Sequence, residues 1–132
     1  MGGKMSHYSI YKTKVGNINA ELLKQAIASL AREIGAEVVT AVFSWGDQKH
    51  DVLAGLKTAN LPRGIGFGVD KDGTLTVHGD AYGQHEEFNR IQTLAQNYIK
   101  AYKVAQNART LNPRAKMQMT VRQKEVLLEV VI

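Results

Sequence analysis

At 132 residues, with 44% hydrophobic and 22% charged residues, the chain fits one globular domain with enough apolar content to bury a core without staples. It contains no Cys, which excludes disulfides, thiolate catalysis and cysteine-ligated zinc, and no apolar run approaches the roughly 20 residues of a membrane helix. The net charge of +5 is uneven: residues 88–124 carry eight cations and no acid, while the rest holds nine cations and all twelve acids, an asymmetry that attracts nucleic acid or an acidic protein partner.

Residues 1–4 read as an N-terminal extension and residues 5–132 as a single domain. With no leader-like opening, an intracellular, cytoplasmic location is expected. Residues 6–15, rich in Tyr, Ile, Thr and Val, predict a first strand with Tyr8 and Ile10 inward. Asn19 then stands as a helix N-cap, Leu23, Ile27, Leu30 and Ile34 repeat at helical spacing, and Gly35 supplies the stop. Residues 37–45 form a nearly continuous β-branched and aromatic run, expected to be a central strand. Residues 46–49 read as a turn, residues 50–59 as a shorter strand and residues 60–64, which include Pro62, as a loop.

Residues 64–79 predict a tight hairpin. Asp70-Lys71-Asp72-Gly73 suits a type I turn followed by a left-handed glycine and a bulge, with Asp70 paired to Thr74. That register sets Val69 against Leu75 and Phe67 against Val77, all on one face. The second face then carries Gly64, Gly66 and Gly68 opposite Asp80, His78 and Thr76. It is read as solvated, although a face of glycines also admits a ligand or another backbone closely.

A long helix is expected over residues 85–111, with Glu86 and Glu87 in its first turn and Lys100, Lys103 and Arg109 towards its end, as the helix dipole favours. Phe88, Ile91, Ala95, Tyr98, Tyr102 and Ala105 form its apolar stripe. After Asn112-Pro113, two strands follow, with Arg122 paired to Glu125 so that Met117, Met119, Val121, Val126, Leu128, Val130 and Ile132 share a face. The order β-α-β-β-β-β-α-β-β predicts an α+β two-layer sandwich, a mostly antiparallel sheet of about seven strands with both helices on one face. Val38, Val42, Leu127 and Val131 then fall on the other face. A homo-oligomer would cover them, since leaving apolar surface wet costs about 25 cal/mol per Å².

His78, Asp80, His85 and Glu86 fall where the hairpin meets the long helix and are the candidate ligand or metal residues, imidazole and carboxylate being suited to a divalent metal or to acid/base work. Their spacing matches no zinc signature, and no catalytic residue, metal or cofactor is assigned. The alternating Gly64, Gly66 and Gly68 lie inside a strand and so do not form a phosphate loop. His7 and His50 are isolated in sequence. Trp45 reads as a core cap rather than an exposed anchor. Lys100, Lys103, Arg109, Arg114 and Lys116 are the candidate contacts for nucleic acid or an acidic protein, though no reading element accompanies them.

Met5-Ser6-His7-Tyr8, Ile10, Lys12-Thr13-Lys14, the Asp80-Ala81-Tyr82-Gly83 step before the long helix, and Gln96-Asn97-Tyr98 within it resemble the uncharacterised family designated domain of unknown function 1257, found in cyanobacteria, plastids and scattered prokaryotes. The resemblance covers most of the chain. Tyr102 lies further from Tyr98 than the family's tyrosine pair, and residues 46–63 are expanded. It implies no activity, ligand or catalytic residue, and favours an intracellular accessory or binding protein over an enzyme.

Overall fold

The computed structural model describes residues 8–131, so residues 1–7, including His7 and the Met5-Ser6 opening, and Ile132 lie outside the described residues. The elements are β1 (Ser9–Lys12), α1 (Ala20–Ile34), β2 (Glu37–Ser44), β3 (Gln48–Thr58), β4 (Leu61–Val69), β5 (Leu75–Gly79), α2 (His85–Leu111), β6 (Lys116–Arg122) and β7 (Glu125–Val131). This is an α+β fold in which every strand pairing is antiparallel. Its strands divide between a five-stranded sheet, ordered β1-β5-β4-β3-β2, and a separate β6-β7 hairpin.

Both helices form as their caps and periodicity dictate. Asn19 Oδ1 accepts the Leu22 N–H at 2.8 Å, and Gly35, at φ 69°, ends α1 in the left-handed conformation that a side chain resists. The stripe Leu23, Ala26, Ile27 and Leu30 is fully buried. In α2, Phe88, Ile91, Leu94, Ala95 and Tyr98 are buried with Ile99, which the single-stripe reading left out. Ile99 is needed because α2 has apolar neighbours on two sides: it packs on β4 and also against the β6-β7 hairpin, from which Met119, Val121 and Val126 reach the core. Tyr98 O–H lies 2.6 Å from Ser29 Oγ, joining the two helices. The sheet face that meets them carries Leu56, Ile65, Phe67, Leu75 and Val77, none of them exposed.

The β4-β5 hairpin has the bulged register. Val69 pairs with Leu75, Phe67 with Val77 and Gly66 with His78. Gly73 adopts φ 82°, and Asp70 N–H donates to Thr74 O at 2.9 Å. Asp70 Oδ1 also accepts the N–H groups of Asp72 and Thr74, a side-chain brace that explains why an acid begins this turn.

Several other expectations are corrected. β2 is an edge strand, with Val38 and Phe43 exposed, because the sheet ends there. β3 is the longest strand at 11 residues; the turn before it lies at Trp45-Gly46-Asp47, so Gln48 and Lys49 already belong to the strand. The expected loop at residues 60–64 is mostly strand: Leu61 is a core residue that pairs with Thr58, and the register shift beyond it accommodates Pro62. In β1, Ile10 is 59% exposed opposite His78, while Tyr11 is the residue whose O–H reaches Gln92 on α2. Leu127 and Val131 belong to the separate hairpin rather than to the large sheet, so they do not share a face with Val38 and Val42.

The main correction concerns the glycine face. Residues Gly64, Gly66 and Gly68 are buried, not solvated. The β2-β3 pairing jumps from Val39↔Gly55 to Ala41↔Asp51, and such an irregularity bends a ribbon. The tip of the hairpin curls back over the outer face, bringing β2 close to β4 although β3 separates them in the sheet order. Val42, fully buried, lies 3.1 Å from where a Gly64 Cβ would sit, and Val52 Cγ1 lies 2.4 Å from where a Gly66 Cβ would sit. The glycine ladder admits another piece of backbone, and that piece is the chain's own hairpin.

Candidate functional site

The curled hairpin assembles residues that are far apart in sequence. On the outer face, the Tyr8 ring stacks on His50 with centroids 3.6 Å apart, and His50 Nε2 lies 3.0 Å from Ser44 Oγ. His78 bridges Thr76 Oγ1, at 2.8 Å, and the Tyr8 hydroxyl, at 3.4 Å. Burial pushes the His78 pKa below its ordinary value, favouring the neutral ring. His50, isolated in sequence, is therefore part of a hydrogen-bonded and stacked group.

Asp80 is the buried brace between this group and α2. It is 1% exposed, and its carboxylate accepts the N–H of Trp45 at 2.9 Å and of Tyr82 at 3.0 Å. Its carbonyl accepts from Gln84 Nε2 at 2.9 Å and from Arg63 Nη2 at 3.3 Å. Trp45 is half exposed rather than a core cap; it meets the Tyr82 ring edge-on, with the Arg63 guanidinium 5.9 Å from its centre. Arg63 also donates to Tyr82 O, while its Nε is buried without a hydrogen-bond partner among the described residues.

On the far side of this brace, where β1 and the β5-α2 connection meet, lies a pocket of about 310 Å³. Tyr11, Gly79, Ala81, Tyr82 and Phe88 form its apolar walls, and Ser9, Asp80, His85 and Asn89 its polar margin. This composition, apolar walls with a few convergent polar groups, is that of a small-ligand site. A more open depression of about 500 Å³ at the start of α1 is lined by Asn19, Glu21, Gln25 and Gln106 among others. Its polar groups already bond one another or cap the helix, leaving little to recognise a ligand.

Of the sequence candidates, Asp80 and His85 reach the pocket, whereas His78 faces the outer-face cluster and Glu86 is exposed on the first turn of α2. Among the described residues, no three His, Asp or Glu side chains are grouped to hold a metal ion. Tyr11, Tyr82 and Asn89 were not singled out as site residues from the sequence. Asn89 follows His85 by one helical turn and was legible by spacing; Tyr11 was not, because which face of β1 turns inward depends on its pairing with β5.

The cations of residues 88–124 differ in their surroundings. Lys103 Nζ donates to Gly16 O at 3.0 Å, Arg109 lines a groove with Tyr102, Met117 and Met119, and Lys100, Arg114 and Lys116 are exposed. Arg90, by contrast, is held by Glu87 at 2.8 Å; the Arg90 hydrogen bond keeps the Glu87 carboxyl below its usual range. Among the described residues, no helix is long and apolar enough to cross a membrane.

No protein-family model, no curated protein and no solved structure matches the chain.

Proposed function

We propose that this chain is a non-catalytic binding domain whose site is the pocket between Tyr11, Tyr82 and Phe88. The observation that carries this reading is the combination of an aromatic-walled cavity with His85 and Asn89 on its margin, while the one buried carboxylate there, Asp80, is committed to holding backbone. Aromatic walls contribute affinity through ring contact, and the marginal polar groups set orientation. Titration with ethylbenzene, a ring without a hydrogen-bonding group, is expected to shift the backbone amide resonances of residues 79–89. Tyr11→Ala, which removes one wall on an edge strand, weakens that binding. A spectrum unchanged both by ethylbenzene and by a ring of the same shape that bears a carbonyl rules the reading out.

Self-association is a second reading. It is supported by β7, where Leu127, Val130 and Val131 are exposed on a strand that has only β6 as a neighbour among the described residues. The nucleic-acid reading rests on charge alone and implies phosphate-dominated binding that weakens steeply with salt. A gel shift at low ionic strength tests it, and the absence of a complex with DNA or RNA there removes it.

A further inference from the structure

We infer that the pocket selects a planar ring that bears a hydrogen-bond acceptor, a carbonyl or a ring nitrogen, and that Asn89 reads this acceptor. The inference rests on the pocket being the binding site. It comes from a relay of side chains that engages the oxygen of the Asn89 amide. The Tyr11 hydroxyl donates to Gln92 Oε1. An amide whose oxygen is engaged in this way has its nitrogen left to donate, and Gln92 Nε2 does so, to Asn89 Oδ1 at 3.2 Å. Asn89 Oδ1 has that partner, whereas its Nδ2 makes no hydrogen bond among the described residues. Asn89 thus offers the pocket N–H donors.

The walls restrict the rest of the ligand. Tyr11, Tyr82 and Phe88 present ring surface to a flat guest. An anion is disfavoured, because Asp80 lies in the lining and Glu86 stands beside His85 on the exposed first turn of α2. The combination of flat apolar contact, no net negative charge and an acceptor opposite the Asn89 N–H donor describes an aryl ketone, an aryl amide or a neutral nitrogen heterocycle.

The test compares acetophenone with ethylbenzene, two guests of nearly the same shape that differ in the carbonyl acceptor. Acetophenone is expected to bind about three- to tenfold more tightly, the effect of one partly exposed hydrogen bond. Both guests should shift the amides of residues 79–89. Asn89→Asp keeps the side-chain shape but replaces the donor with an acceptor, and it should abolish the acetophenone advantage over ethylbenzene, whatever it does to the affinity of both; Asn89 is exposed, so the variant retains the core. Equal binding of the two guests, or an advantage that survives Asn89→Asp, overturns the assignment to Asn89 while leaving the pocket as a ring-binding site. Binding of neither guest removes both the inference and the reading beneath it.

Discussion

His78 lies half-buried with both ring nitrogens near hydroxyl oxygens, Thr76 Oγ1 and Tyr8 O–H, and no carboxylate is among those partners. Burial disfavours the charged ring, so its pKa in the folded protein lies below the ordinary 6.5. Between the folded and unfolded values the unfolded chain binds more protons, so stability from this residue is complete above pH 6.5 and is lost as pH falls towards the folded value. Urea unfolding of wild type and His78→Gln at a series of pH values from 8 to 5 isolates the effect. The wild type should lose more stability on acidification than the variant; parallel pH profiles would show that His78 titrates alike in both states.

The β2-β3 hairpin is the element on which the outer face depends. Its cover over β4 requires that Gly66 have no side chain, because a Cβ there would lie within 3.0 Å of both Val52 Cβ and Cγ1. Val52 is branched at Cβ and has little freedom to move aside. Gly66→Val should therefore cost about 1–3 kcal/mol from overpacking and lift the hairpin from the sheet. Trp45 is the only tryptophan and sits in the turn between these strands, against Tyr82. Its emission should move to the red in the variant before global unfolding, and an unshifted spectrum with wild-type stability would disprove the clamp. The element also marks what was legible in sequence. Local signals specified α1 from its Asn19 cap to Gly35, the bulged β4-β5 register from Asp70 to Gly73, and the β6-β7 register from Arg122 to Glu125. What covers the glycine ladder depends on a bend in the β2-β3 pairing, and which side of β1 turns inward depends on a partner far along the chain. Neither is a property of a short window, so the ladder looked solvated and Tyr8 and Ile10 looked inward.

At the scale of the whole molecule, the division of strands into two sheets leaves an apolar face on the smaller one. The face of β7 turned away from α2 carries Leu127 at 58% and Val131 at 63% exposed. Two copies packing this face against itself about a two-fold axis would cover both residues. Light scattering at micromolar concentration should then give a dimer mass that Leu127→Lys with Val131→Lys converts to monomer. A monomer for the wild type would leave β7 as a tolerated edge.

The pairing of β1 with β5 has a consequence for the order in which the site assembles. Every other strand pairing joins neighbours in sequence, whereas Ser9 must find Gly79 across nearly all of the intervening fold. Closing so long a loop is entropically the most demanding step of the sheet, so β1 is expected to dock after the rest and to detach before it. Tyr11, which walls the pocket and begins the relay to Asn89, arrives with that strand. The site is therefore complete only in molecules whose N-terminal strand is docked. A bound ring should slow hydrogen exchange at the amides of Ser9–Lys12 more than anywhere in α1, because occupancy of the pocket and closure of β1 are the same equilibrium seen from two ends.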